Sequence, residues 1–378
     1  MSRPPVLFHV VPSLKRRGCE IFAAELVQGL AERGVVQSVC VVDADGAELS
    51  LQAGAWTYET LGVGNRWRKC WRLWALVRRQ RPDCIMVHGG DSAKLLLPIL
   101  VLGRRPPLVL RKIGLTAGWI PNPRNWRWPI YGWLHRHFDR VIVLGPAMRQ
   151  EAVNRLGCRE ERVITLPNYR DTRPYQDDGA WRADRPRRAG CVRLVSIGAL
   201  EPEKNHALMV EALAELSSSL PELRLRLIGD GSQKEPLTEL AQARGVAEKV
   251  EFSGHCDDVA GQLADADILL LCSHTEGVPG VLIEAGLAGL PAVCWVVGDV
   301  EAVVDRTTAR LTPAGDAGAF KAAVDDLVRD PAERQRLGAR ARERCLALFE
   351  RGRVMEAYVR VVTPFLALAS PTKINPEQ

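Results

Sequence analysis

Residues 268–297 read ILLLCSHTEGVPGVLIEAGLAGLPAVCWVV. A short apolar run, Ile268–Leu271, leads into a polar turn with small residues. A helical stretch, Val281–Ala288, follows, and the chain returns to a second apolar run, Ala292–Val296. Runs of Val, Ile and Leu without polar alternation are what strands buried on both faces of a parallel sheet require. The segment therefore reads as strand, turn, helix, strand.

The same alternation extends outward. Upstream lie strands Arg193–Ile197, Leu223–Ile228 and Lys249–Phe252, with helices Ala207–Leu216, Glu235–Arg244 and Asp258–Leu263 between them. Downstream come a short strand, Ala309–Leu311, and helices Ala317–Arg329 and Ala332–Phe349. Before all of these, residues 170–190 are polar and carry two prolines and two glycines, the composition of a linker. An earlier series precedes the linker, with strands Pro5–Val11, Val36–Val42, Asp83–Val87, Leu108–Lys112, Arg140–Leu144 and Arg162–Leu166. Its first helix, Glu20–Arg33, repeats Phe22, Leu26 and Leu30 every four residues and stops at Gly34.

Two βα series joined by a linker predict an α/β chain of two Rossmann-like, doubly wound domains facing a central cleft. The expected boundaries are 1–180, 181–350, and a C-terminal helix with a flexible tail at 351–378. Ligands of such sheets bind at the carboxyl ends of the strands, so the cleft is the expected site.

Composition narrows the class. With 378 residues, 47% of them hydrophobic and 25% charged, the chain is neither disordered nor a disulfide scaffold. The longest apolar run, Leu95–Leu102, is far shorter than the ~20 residues of a membrane span. No apolar leader with a cleavage site opens the sequence. Ten scattered cysteines form no C-x-x-C pair and read as reduced thiols. A soluble cytoplasmic protein is expected.

Charge is unevenly shared. Residues 1–180 carry 27 Lys+Arg against 16 Asp+Glu, or +11, and the remainder carries 24 against 29, or −5. Eight of the ten tryptophans also fall in the first part. Within it, residues 66–81 read RWRKCWRLWALVRRQR, which on a helix puts Trp67, Trp71 and Trp74 on one face with Cys70 and Val77. The favoured expectation is that this face packs on the core and the arginines are solvated. The alternative is a helix lying on an anionic membrane surface, which would make the protein peripheral on the inner face of the membrane.

Chemistry concentrates in the opening stretch. Glu276 and Glu284 are separated by seven residues, and Gly277, Pro279 and Gly280 lead into a helix whose first amides are free. A helix amino end approached through small residues is an anion site. A carboxylate before it reaches a sugar hydroxyl, and one inside the helix accepts bonds from ribose hydroxyls. Spacing alone leaves an ordinary βα turn with two surface glutamates equally open.

The segment resembles the Glu-seven-residues-Glu motif of the retaining glycosyltransferase family four, which has the GT-B fold. SIGALEPEKNHALMVEAL, LIGDG, VEFSGHCDDVAGQLADADILLLCSHTEG and GLPAV resemble that family in the same order, and HVVPSLKRRGCE resembles its opening strand and glycine loop. The resemblance spans roughly residues 5 to 350. It implies transfer of a sugar from a nucleoside-diphosphate sugar, by default a UDP-sugar with guanosine and adenosine forms open, to an acceptor hydroxyl in glycan, glycolipid or natural-product synthesis. The first domain would bind the acceptor and the second the donor, and no metal would be required.

Carried onto this sequence, the resemblance implies that Glu284 binds the ribose and Glu276 sits beside the donor sugar. The amides of Pro279, Gly280 and Val281 would face the diphosphate, with Gly277 and Val278 leading into them. Lys204 would contact phosphate, Gly198 and Gly229 would be among the donor-binding residues, and Gly18 would approach the diphosphate from the other domain. A lysine with preorganised amides stabilises a departing nucleoside diphosphate. The sequence departs from the family at Ala199, where an arginine is usual, with Arg16 or Arg17 as substitutes. It departs again at Ile113, where a histidine is usual, which suggests an anionic acceptor group near Lys112.

Acceptor-side candidates are His88, Lys112, Trp119 and Trp126, the last two in the long aromatic connection 118–133. The expected acceptor is a sugar, a lipid-linked carrier or a small molecule. The D-x-D pairs Asp43/Asp45 and Asp265/Asp267 read as structural, no metal site is expected, and no nucleic-acid module is present. An epimerase or hydrolase on the same fold stays open. So does a sugar-nucleotide or polyanion-binding protein without transferase activity.

Overall fold

The computed structural model describes residues 3–15, 18–44, 56–102, 105–118, 120, 122, 124–175 and 191–367. The chain divides into two compact units, Met1–Tyr169 with Gly352–Gln378, and Arg170–Arg351. The division falls at Tyr169/Arg170 rather than at residue 180.

The first unit holds seven strands: β1 (Val6–Ser13), β2 (Val36–Asp43), β3 (Trp56–Thr60), β4 (Cys84–His88), β5 (Leu108–Arg111), β6 (Arg140–Val143) and β7 (Val163–Thr165). Their order is β3-β2-β1-β4-β5-β6-β7, with every pairing parallel. Leu7 of β1 pairs with Gln37 on one side and Cys84 on the other. The order reverses between β1 and β4, the point at which a doubly wound sheet opens a crevice for a ligand.

The second unit holds six strands: β8 (Val192–Ile197), β9 (Leu223–Ile228), β10 (Val250–Gly254), β11 (Ile268–Leu271), β12 (Ala292–Val296) and β13 (Ala309–Pro313). They are ordered β10-β9-β8-β11-β12-β13 and again all parallel. All four residues of β11 are buried, as an apolar run between two sheet neighbours must be. Leu194, Leu225, Leu270, Val293 and Phe320 belong to one core cluster, and Val195, Leu269, Ala285, Leu287 and Phe349 to another. Each such Val, Leu or Phe side chain, fully buried, contributes about 1.5–3 kcal/mol.

Two expectations are corrected. The C-terminal helix, expected as a separate segment, spans Arg351–Ala367, and its Val354, Met355, Tyr358 and Val362 are core residues of the first unit with Leu7, Phe22 and Met86. A Cβ on Gly29 would come within 2.3 Å of Met355 Cε, so the glycine admits this helix. The tryptophan-bearing helix, Arg66–Gln80, starts at Asn65, whose side chain accepts from the Arg68 N–H at 3.0 Å. It buries Cys70, Leu73, Leu76 and Val77, while Trp67 is 62% and Trp71 48% exposed. The purely apolar side chains take the core positions; the tryptophan stripe does not pack inward.

Among the described residues no helix is long and apolar enough to cross a membrane. All ten cysteines are free.

Candidate active site

In the second unit the strand order reverses between β8 and β11, and the loops leaving these two strands carry the predicted residues. The loop after β8 runs through Gly198 into a short turn, Pro202–Lys204. It lies against the loop after β9. The Gly198 N–H donates to the Ile228 carbonyl at 2.9 Å, and a Cβ on Gly229 would stand 2.0 Å from the Gly198 oxygen. With φ of +139°, Gly229 also holds a conformation that side chains disfavour. The two glycines thus let the turns approach backbone to backbone.

The loop after β11 is fastened to the same turn. The His274 N–H donates to the Glu203 carbonyl at 2.8 Å. Lys204 Nζ then donates to Glu276 Oε1 at 2.7 Å, with the glutamate side chain only 10% exposed. From the other side, the Asp299 N–H reaches the Gly277 carbonyl at 3.2 Å, and Gly298, at φ +55°, leaves room for the Glu276 oxygen. Glu276 is held by its backbone and by its side chain.

Val278 and Pro279 then lead into the helix Gly280–Leu287, which no side chain caps. The expectation that three amides face the anion needs correction at Pro279: a proline nitrogen carries no hydrogen. Gly280 and Val281 supply the N–H groups. Glu284 lies one turn on. Burial pushes its carboxyl up from the usual range, against the opposing pull of Arg170, whose Nε donates to Glu284 Oε1 at 3.0 Å. Arg170, placed in the linker by its polar surroundings, escaped the sequence reading. His206, which opens the helix after Lys204, was missed too; burial lowers its pKa to about 4, with a smaller push from Lys204.

In the first unit a cavity of about 550 Å³ lies at the carboxyl ends of β1, β4 and β5. His88, Lys112, Ile113, Lys94, Arg127 and Tyr131 are among its lining residues. His88 is fully buried and stacks on His9. Gln37 Nε2 donates to the Val27 carbonyl at 2.8 Å, so its Oε1 accepts from His9 Nε2 at 2.9 Å. His9 Nδ1 is left to accept from His88 Nε2 at 3.1 Å. Burial, then His9 and Arg111, holds the His88 pKa well below the usual value. His88 is thus part of a neutral, buried relay at the cavity floor.

Lys112 does not offer a charge to the acceptor. Its Nζ lies 2.7 Å from Glu151 Oε2, and the two side chains are 3% and 5% exposed. Burial would raise the Glu151 carboxyl, but Lys112 and the amides of Thr116 and Ala117 hold it below the usual range. The pair fixes the 112–117 loop. Trp126 is 70% exposed and lines a different recess, beside Trp128 and Arg155. Gly18 opens the helix Gly18–Ala31. Arg16, Arg17 and Trp119 lie outside the described residues, as does Asp45.

Asp43 lies 3.7 Å from Lys69, Asp265 3.3 Å from Arg193, and Asp267 accepts from the Arg193 N–H at 2.9 Å, so these acids serve the fold. No group of three or more potential metal ligands occurs among the described residues.

Comparison with known proteins extends the picture. A family model described as "Glycosyl transferase 4-like domain" matches residues 17–169, and one described as "Glycosyl transferases group 1" matches 177–344. The lipopolysaccharide core biosynthesis glycosyltransferase LpsE of Rhizobium meliloti (strain 1021) is 26% identical over 359 residues, covering 92% of this chain and 96% of that protein. A glycogen synthase of Mycobacterium tuberculosis (strain ATCC 25618 / H37Rv) is 29% identical over 294 residues, covering 75% and 69%. Among solved structures, HepE of Anabaena in complex with UDP and glucose has a TM-score of 0.80 at 18% identity, covering 96% of this chain and 100% of that one. The chain belongs to the group 1 glycosyltransferases, nucleotide-sugar-dependent enzymes with the GT-B fold.

Proposed function

We propose that this enzyme takes its sugar from a UDP-sugar held by the second unit. It transfers that sugar, with retention of configuration and without a metal, to a hydroxyl of a lipid-linked saccharide held by the first. The observation that carries the donor site is the Lys204–Glu276 pair at 2.7 Å beside the uncapped helix Gly280–Leu287, with Glu284 one turn on. HepE, solved with UDP and glucose, supports uridine as the base.

In the reaction the bond between the anomeric carbon and the β-phosphate oxygen breaks, and the acceptor oxygen bonds to the same carbon. The acceptor proton passes to the departing phosphate. Negative charge grows on that phosphate, and Lys204 with the Gly280 and Val281 amides answers it. Because protein groups supply this positive potential, the reading includes metal independence. Glu284 accepts from the ribose, and Glu276 orients the donor sugar.

The acceptor class rests on the first unit's surface. Trp67 and Trp71 are exposed with Arg66 and Arg68, and Leu97 and Val101 are exposed on the helix packed beside them. Aromatic and basic side chains of this kind favour an anionic membrane interface, here the cytoplasmic face.

The test is to incubate the enzyme with UDP-glucose and a panel of lipid-linked and free saccharides, with and without EDTA. UDP release and product configuration are then followed. A retained-configuration product on a lipid-linked acceptor in EDTA is expected. UDP-sugar binding without transfer to any acceptor overturns the acceptor class, an inverted product the mechanism, and loss in EDTA the metal independence.

A further inference from the structure

We infer that His88 determines which kind of group the first unit's cavity accepts: its Nδ1 presents a bare lone pair that takes a hydrogen bond from a neutral saccharide hydroxyl and turns away phosphate and carboxylate. The inference rests on the acceptor reading above and deepens it, by assigning the end of the acceptor that enters the cavity.

Three parallel strands line up the side chains that set this lone pair. His9 on β1 pairs in register with Val39 of β2 and Met86 of β4. Gln37 stands two residues before Val39, and His88 two residues beyond Met86. Side chains two apart share a sheet face, so Gln37, His9 and His88 form a diagonal row that climbs to the carboxyl end of β4. Polarity runs one way along the row. The Val27 carbonyl, which only accepts, fixes the Gln37 amide, and Gln37 Oε1 then fixes the proton on His9 Nε2. His9 Nδ1 in turn fixes the proton on His88 Nε2. A neutral imidazole carries one ring proton, so His88 Nδ1 has none.

That nitrogen is buried, and among the described residues no group pairs with it. The His88 ring lines the cavity of about 550 Å³, and so does Ser92, 2% exposed, whose Oγ is likewise unpaired. Unmade buried hydrogen bonds are costly and rare in folded chains. Two of them lining one cavity mark a place where a ligand completes the bonding.

The chemistry of the lining selects that ligand. A saccharide hydroxyl donates to Nδ1, and a neighbouring one pairs with the Ser92 hydroxyl. A phosphate or carboxylate brings lone pairs to a lone pair. Protonating the ring to receive an anion is opposed by burial, by His9 and by Arg111. Lys112 and Lys94 on the lining are engaged by Glu151 and Asp91, and Glu20 adds a buried acidic side chain.

The experiment is ¹⁵N NMR of the full-length chain, labelled in its histidine rings, at pH 7. It is titrated with the methyl α-glycosides of glucose, galactose and mannose and, separately, with inorganic phosphate. The His88 signals are those missing from H88F and H88N. The free chain is expected to show His88 with Nε2 protonated and Nδ1 bare, and at least one glycoside should shift Nδ1 while phosphate does not. H88F should bind that glycoside about tenfold more weakly, as loss of one hydrogen bond does. H88N, whose amide oxygen replaces the Nδ1 acceptor, should recover most of the affinity. If H88F fails to fold, the wild-type spectra carry the test. An Nδ1–H tautomer in the free chain, a shift with phosphate alone, or no shift with any glycoside would overturn the inference and leave the nitrogen to water. Equal loss in the two folded variants would overturn it too. Transfer to a lipid-linked saccharide with an unchanged acceptor KM in folded H88F would overturn the inference alone. Glycosides that shift Nδ1 while no saccharide receives sugar in the transfer assay would support the site and overturn the acceptor reading.

Discussion

Lys204 and Glu276 meet at 2.7 Å although they leave different strands, β8 and β11, on either side of the point where the second sheet reverses its order. Seventy-two residues separate them in sequence. The pair joins a cation suited to a departing phosphate with a carboxylate suited to a sugar hydroxyl. Each holds the other in place before substrate arrives, and such preorganisation avoids reorganisation cost at the moment of reaction.

The two partners should therefore fail differently. Lys204→Met is expected to weaken UDP binding and lower kcat/KM by roughly 10²–10³, the scale of losing one transition-state charge stabiliser. On the proposed roles, Glu276→Ala should abolish transfer to a similar extent while UDP affinity stays within about threefold, because Glu276 is assigned to the sugar rather than the nucleotide. Steady-state kinetics and UDP titration check both. Equal loss of UDP affinity in the two variants would sink the division of roles.

Two glycines near these residues make a sharper pair. At Gly298, φ is +55° and a new Cβ would stand 2.0 Å from the Glu276 backbone oxygen, so the whole loop must shift. Gly298→Ala should cost about 1–3 kcal/mol of stability and displace Glu276, lowering kcat. At Gly280 the obstacle is the Arg170 guanidinium, a side chain rather than backbone, though moving it strains its bond to Glu284. Gly280→Ala should cost less stability than Gly298→Ala yet weaken UDP. Thermal unfolding with UDP titration separates the two cases, and a fully active Gly298→Ala enzyme would count against Glu276.

What the sequence made legible follows from how local each signal is. Leu223–Ile228, Ile268–Leu271 and Ala292–Val296 coincide residue for residue with β9, β11 and β12, because an apolar run bounded by polar or small residues has one stable place in a parallel sheet. β3 was missed: WTYET alternates apolar and polar and sits at the sheet edge, paired to β2 alone. The helix Arg66–Gln80 offers two adjoining apolar faces, and periodicity does not choose between tryptophans and aliphatics. Arg170 was hidden because its partners lie over a hundred residues away. A polar linker composition carries no trace of a contact made only by the fold. The Lys112–Glu151 neutralisation is invisible for the same reason.

Stability should also report the buried histidines. His9, His135 and His206 each have a pKa lowered to about 4, mainly by burial. In the unfolded chain they titrate near 6.5. Their folded forms are neutral, so this part of the stability is fully present above pH 6.5 and is lost as pH falls toward 4. The loss is on the order of 1 kcal/mol per pH unit for each histidine. Denaturant midpoints at pH 7.5, 6.5, 5.5 and 5.0 should decline below 6.5, with the first part of the decline set by the histidines. A flat curve down to pH 5 would show that the three rings stay solvated.

The exposed tryptophans allow membrane contact to be tested apart from folding. Trp67 and Trp71 stand outside the core, and Trp74, edge-on to Trp71 at 5.5 Å, carries the Arg78 guanidinium 4.9 Å above its ring. Truncating both to alanine should change stability by less than ~0.5 kcal/mol, as exposed substitutions do. Leu73→Ala on the same helix, where exposure is 0%, should cost about 2–5 kcal/mol. Sedimentation with vesicles containing phosphatidylglycerol should capture the wild type at low salt and release it at high salt. Trp67→Ala/Trp71→Ala should bind them at least tenfold more weakly, and vesicles of phosphatidylcholine alone should bind neither protein. Equal capture of the double variant would move the contact away from this helix. Absence of wild-type capture would remove the membrane from the account and leave the two tryptophans to a soluble acceptor or a protein partner.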